Sequence, residues 1–162
     1  MTTRNFRRLD YPAASPKALQ AMMQLSGHAH AAGLGEDLIE LISLRASQIN
    51  GCAFCIDMHT KELRAAGASE QKLYLLSVWR ETSLYSPRER AALAWTEALT
   101  RLGEEGVSDA IYEEALAQFG EAGLVDLTAA VVAINGWNRF SIAFGAEAGH
   151  YKAGSLRERA AS

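Results

Sequence analysis

Ser86-Pro87-Arg88-Glu89 constrains this chain more than any other four residues. A serine cap, proline in the first turn and glutamate three residues after the cap form a reciprocal capping box, so ERAALAWTEALTRL must begin a helix there. Related signals recur along the chain. Ser15-Pro16 opens a segment running towards Gly33, Glu36 and Asp37 open a second, and Ser69 caps SEQKLYLLSVWRE as far as Thr82. Ser108 caps DAIYEEALAQF, which stops at Gly120, and Gly67 closes a helix that starts near Asn50 to Cys52. The last apolar segment, GLVDLTAAVVAINGWNRFSIAFG, contains Val131-Val132, but its length and continuity favour a buried helix. No alternating run is bounded by hairpin turns. The expectation is an all-α fold of about seven helices.

A chain of 162 residues, 49% apolar and 22% charged, suits one domain that completes its core by self-association. Its expected organisation is an N-terminal extension over 1–14, a helical domain over 15–150 and a C-terminal tail over 151–162. With 16 basic and 19 acidic residues and no long run of either sign, neither nucleic acid nor a membrane surface is an expected partner. The N-terminus lacks an apolar stretch behind its basic residues, so a soluble, unexported, cytoplasmic protein is expected.

Shifting the chain by 85 residues superposes Ile49-Asn50-Gly51 on Ile134-Asn135-Gly136. A duplicated helix pair and a chance match are both open from these residues.

The two cysteines are in INGCAFCIDMH, residues 49–59. At about 100° per residue, Cys52, Cys55 and His59 fall within roughly 60° on one helix face. Cys52 lies near the helix start, where free N–H groups favour a thiolate, and His59 lies one turn beyond Cys55. This geometry points to Cys55 as the activated thiol, with a depressed pKa, and Cys52 as its partner. Glu40 begins a stripe with Ser43, Ser47 and Asn50 that faces a semi-buried polar pocket; it either orients His59 or lies on the surface. A lone CxxC in an unexported chain reads more naturally as redox or metal chemistry than as a structural disulfide. Metal binding needs a fourth ligand from His28, His30 or His150, and on a helix His28 and His30 point about 200° apart. Trp79-Arg80-Glu81 and Trp137-Asn138-Arg139 read as core tryptophans with solvated or paired charges.

Glu40, the run ELISLRASQINGCAFCIDMHTKELRAAG, WRE and ERAALAWTEALT resemble the alkylhydroperoxidase D-like (AhpD-like) branch of the carboxymuconolactone decarboxylase family. The similarity extends from about Leu19 to Phe144. The resemblance implies self-association as trimers or hexamers and thiol-dependent peroxidase activity. Cys55 would be the peroxidatic cysteine, Cys52 the resolving one, His59 the proton shuttle and Glu40 its orienting carboxylate. Such chemistry needs a hydroperoxide and a dithiol reductant, such as a lipoyl or thioredoxin-like protein, but no metal, flavin or haem. Phe54 departs from the pattern: lipoamide-linked members carry histidine between the cysteines. The alternatives are a CxxC disulfide oxidoreductase, a redox-sensing oligomeric protein, or a zinc-bound interaction module.

Overall fold

Helix, with one stretch of 3-10 geometry, is the only regular structure among residues 7–155, which the computed structural model describes. The elements are α1 (Tyr11–Ala14), α2 (Pro16–Ala31), α3 (Glu36–Asn50), α4 (Ala53–Ala65), α5 (Glu70–Tyr74), a 3-10 segment (Leu76–Glu81), α6 (Pro87–Thr100) and α7 (Asp109–Phe144). The all-α expectation holds.

The capping box at α6 is complete: Glu89 N–H donates to Ser86 Oγ at 3.2 Å, and Ser86 N–H to Glu89 Oε2 at 2.8 Å. Ser69 also caps, accepting from Lys72 N–H. Ser15 and Ser108 occupy cap positions without making a side-chain cap bond. The expected single helix from Ser69 to Thr82 divides into α5 and the 3-10 segment, where Val78 departs from helical geometry. Arg90 secures this tighter turn by donating to the carbonyls of Trp79, Thr82 and Arg80. At Gly120 the chain adopts φ +67° and ψ 176°, available to glycine without a Cβ penalty. The expected stop is therefore a sharp kink, after which α7 resumes directly.

α3 is the central helix, with every residue from Leu38 to Ser47 buried. On one side Leu38, Ile39 and Ile42 pack with Ala92 and Trp95 of α6 and with Leu124, Leu127 and Val131 of α7. On another, Leu41 and Leu44 meet Leu63, Leu73, Leu76, Trp79 and Leu93. Fully burying each such aliphatic side chain contributes about 1.5–3 kcal/mol. α7 alone, among the described helices, has the length and apolarity to cross a membrane, and only 33% of that apolar window is buried.

A charge on α3 anchors this packing. Buried Arg45 donates through Nε to Glu97 Oε1 at 2.7 Å, and Trp79 Nε1 donates to the same oxygen at 2.9 Å. Arg80 donates to Glu97 Oε2. Burial raises the Glu97 pKa, but the bonds from Arg80, Trp79 and Arg45 outweigh it and hold the carboxyl below its usual value. A depressed carboxyl stabilises the fold above its unfolded pKa, and that stabilisation fades as pH falls towards the folded value. Glu97→Ala strands Arg45 in the core, and denaturant unfolding near neutral pH is expected to show a loss of about 3–5 kcal/mol. Glu97→Ala should also flatten the acid limb of the stability profile.

Candidate active site

A turn at the end of α3 sets the register of the CxxC. Gly51 takes φ +69°, and the next amide, Cys52 N–H, donates back to Ser47 O at 3.0 Å. This six-to-one bond closes α3 in a Schellman arrangement. Cys52 is simultaneously the N-cap of α4, and its carbonyl accepts from Ile56 N–H at 2.9 Å. One residue thus ends one helix and starts the next. The far end of α4 closes similarly, with Ala68 N–H donating to Leu63 O and Gly67 N–H to Arg64 O.

The four expected residues come together across α3 and α4. Cys52 and Cys55 are free thiols, each 1% exposed, packed with Ala46, Ile134 and the partly buried Phe54 and Trp137. Phe54 contributes an apolar wall. His59 and Glu40 are also buried, and His59 Nδ1 lies 2.7 Å from Glu40 Oε2. The proton between them sits on Nδ1 or on the carboxylate according to the ring tautomer, so Nε2 can accept or give a proton in turn. His59 Nε2 is the one side-chain polar atom, among the described residues, that is buried without a hydrogen-bond partner. An unmet group of this kind costs about 1–3 kcal/mol, a penalty commonly found where function rather than packing sets the residue.

The polar stripe on α3 meets α7. Asn138 Nδ2 donates to Ser47 Oγ at 3.0 Å, and Ser47 Oγ donates to Ser43 O at 2.7 Å. Asn50 Nδ2 donates to the side-chain oxygens of Asn135 and Asn138, each at 2.9 Å. The two asparagines equivalent under the 85-residue shift are therefore bonded to each other. Their surroundings differ: Gly51 breaks its helix, while Gly136 lies inside α7, where a Cβ would meet Met22 Cε at 2.6 Å.

The charge distribution on the sulfurs differs from the expectation. The Cys52 thiol is lowered to about 6, chiefly by a hydrogen bond from the Cys55 thiol. Burial opposes the shift, and the Cys55 backbone N–H, Ser141 and the charge of His59 assist it. Cys55 is raised, chiefly by that shared hydrogen bond and then by burial and the Cys52 charge. The depressed thiol is thus Cys52 rather than Cys55: the helix start and the neighbouring S–H both favour charge on the first sulfur.

Three neighbours were not legible in the sequence. Ser141 Oγ lies 3.8 Å from Cys55 Sγ, and Asn138 bonds the α3 stripe from the same helix. Tyr11 packs at a tilt against Phe140 and stacks on Phe144, both at 5.3 Å, and its pKa is raised by burial, then by charge on Cys55 and Cys52. The signal for Tyr11 was present: Asp10 caps α1, accepting from Ala13 N–H, and Pro12 lies in the first turn. His28 instead bonds Asp126 at 2.8 Å and His30 bonds Glu36 at 3.1 Å. Trp79 is buried, and Trp137 Nε1 donates to Ser26 Oγ at 2.6 Å.

Removing the Cys55 thiol tests the shared charge. Thiolate ultraviolet absorbance of the reduced protein should rise through pH about 6. In Cys55→Ala the midpoint should move up towards an ordinary thiol, since the largest lowering influence is gone.

Residues 16–98 match the carboxymuconolactone decarboxylase family. The chain is 40% identical over 139 residues to the uncharacterized protein YdfG of Bacillus subtilis, covering 86% of this chain and 95% of YdfG. A shorter match, 46% identical over 41 residues, links 25% of the chain to 22% of the alkyl hydroperoxide reductase AhpD of Bradyrhizobium diazoefficiens. Among solved structures, ATU0492 of Agrobacterium tumefaciens superposes with a TM-score of 0.84 at 45% identity, covering 90% of this chain and 99% of that one. ATU0492 is a protein of unknown function whose description suggests the antioxidant defence protein AhpD. The chain belongs to the carboxymuconolactone decarboxylase family, in its AhpD-like branch.

Proposed function

We propose that the protein is a thiol-dependent peroxidase that reduces hydroperoxides through Cys55 and Cys52. The observation that carries this reading is His59, oriented by Glu40 and buried with Nε2 unpartnered, one turn beyond a buried dithiol. Passing the Cys55 proton to Cys52 along their hydrogen bond moves the charge to Cys55. Cys55 thiolate then attacks the distal peroxide oxygen, breaking O–O, forming a sulfenic acid and releasing alkoxide, which His59 protonates to the alcohol. Cys52, whose low pKa returns it readily to thiolate, attacks the sulfenic sulfur to form S–S, and the proton it gives up converts the departing hydroxide to water. A dithiol such as a lipoyl or thioredoxin-like protein restores both thiols by exchange, becoming a disulfide itself. None of these steps calls on a metal or organic cofactor.

A second reading shares the residues: a CxxC disulfide oxidoreductase without efficient peroxide turnover. The acidic Cys52 at the start of α4 favours it, because a low-pKa thiolate at a helix terminus suits thiol–disulfide exchange.

Steady-state assays with hydrogen peroxide and an organic hydroperoxide, against several dithiol reductants, separate the two. On the peroxidase reading Cys55→Ser and Cys52→Ser abolish turnover, and His59→Ala and Glu40→Gln lower it by about 10–100-fold. Cys52→Ser should accumulate a dimedone-trappable sulfenic acid at Cys55. Trapping at Cys52 in Cys55→Ser instead would exchange the two roles, and full rates in the His59 and Glu40 variants would remove the relay.

Self-association belongs to the same proposal. Val125 and Val132, seven residues apart on α7, are 68% and 53% exposed. Another copy of this chain, in a trimer or hexamer, would bury that face. Sedimentation should show an oligomer that Val132→Glu weakens.

A further inference from the structure

Oxidation of this site requires protons that its burial obstructs. With one charge on the pair, forming the disulfide follows thiolate–thiol + ROOH + H⁺ → disulfide + ROH + H2O. One proton must enter in each oxidation and leave again when a dithiol restores the pair, yet both sulfurs are 1% exposed, and His59 and Glu40 only 7% and 6%. His59 can hand on that proton only if it is itself supplied during the oxidation.

The route lies on the far side of Glu40. His30, at the end of α2, has Nδ1 3.1 Å from Glu36 Oε2, and the side chains are 41% and 39% exposed. One side-chain nitrogen or oxygen from each of His30, Glu36 and Glu40 lies within 4.8 Å of the other two. Two hydrogen bonds through one water span about 5 Å, so a single water can join the surface pair to Glu40. Glu40 continues directly to His59 at 2.7 Å. Glu36 and Glu40 are one turn apart on α3, while His30 approaches from α2 across the Gly33–Gly35 loop. Two nearby ionisable groups are engaged elsewhere. Tyr151, which senses the Glu40 charge, donates to Glu62 of α4, and His28 bonds Asp126 of α7.

We propose that His30 and Glu36 form a solvent-facing proton port, passing protons through Glu40 to His59 and so to the buried dithiol. This rests on the peroxidase reading above. His30 is a positioning and relay residue: it touches neither substrate nor sulfur. An imidazole beside a carboxylate at the surface can both take up and release a proton within a turnover.

The experiment follows a single oxidation of fully reduced protein by an organic hydroperoxide, in chelator-containing buffer, across a pH series. In His30→Ala, disulfide formation should slow by at least about tenfold above neutral pH, where free protons are scarce, and approach the wild-type rate in acid. Added imidazole should restore the rate, and thermal unfolding should match wild type. Glu36→Gln should slow the reaction in the same pH range. A His30→Ala protein with the wild-type rate and pH profile, or a slow one that imidazole fails to rescue, overturns the port while leaving peroxide turnover intact. Wild-type protein that consumes no hydroperoxide overturns the peroxidase reading and the port together.

Discussion

The hydrogen bond between Glu40 and His59 is the constraint on which the site depends. A carboxylate on the most buried helix of the fold is costly unless it is paired, and the imidazole from α4 supplies the pairing. The bond fixes the ring orientation and commits Nε2 to the interior without a partner. It also ties α4 to α3 beside the dithiol. The C-terminal segment adds to this hold: Gly154 N–H donates to Glu62 at 2.7 Å, and Lys61 Nζ donates to Tyr151 O at 3.0 Å. α3 consequently carries two opposite polar tasks. Glu40 faces α4 and holds His59, while Arg45 faces α6 and satisfies Glu97.

Local chemistry made much of this legible in advance. The capping box, the glycine closing α4 and the phase of Cys52, Cys55 and His59 depend on neighbours within a few residues, and the structure has each of them. Glu40 was legible through its uncharged stripe, which meets α4 and α7 as the pattern suggested. Tyr11, Asn138 and Ser141 were not, because they approach from elements more than forty residues from the cysteines. The location of the charge was also hidden. Helix phase places two sulfurs on one face but does not tell which one receives the other's S–H, and that contact moves the low pKa to Cys52.

The contact between Asn50 and Asn135 gives physical content to the sequence match at 85 residues. Equivalent positions of the two segments meet, and each segment supplies what the other lacks. The first breaks at Gly51 and begins a helix with sulfur. The second continues unbroken through Gly136 and contributes the amide and hydroxyl that line the first. Phe54 and Trp137, near the corresponding turn, make the surroundings of the sulfurs largely apolar. An apolar, water-poor setting strengthens the few polar contacts that remain, above all those to His59.

The central claim is that this dithiol performs two-electron reduction of a peroxide bond. Its most direct measurement is an anaerobic titration of fully reduced protein with an organic hydroperoxide, counting thiols lost against alcohol formed. The account predicts one alcohol for each Cys52–Cys55 disulfide, with no reductant present. Hydroperoxide left intact while an oxidised dithiol protein readily converts the pair to the disulfide would contradict it and identify an exchange protein instead.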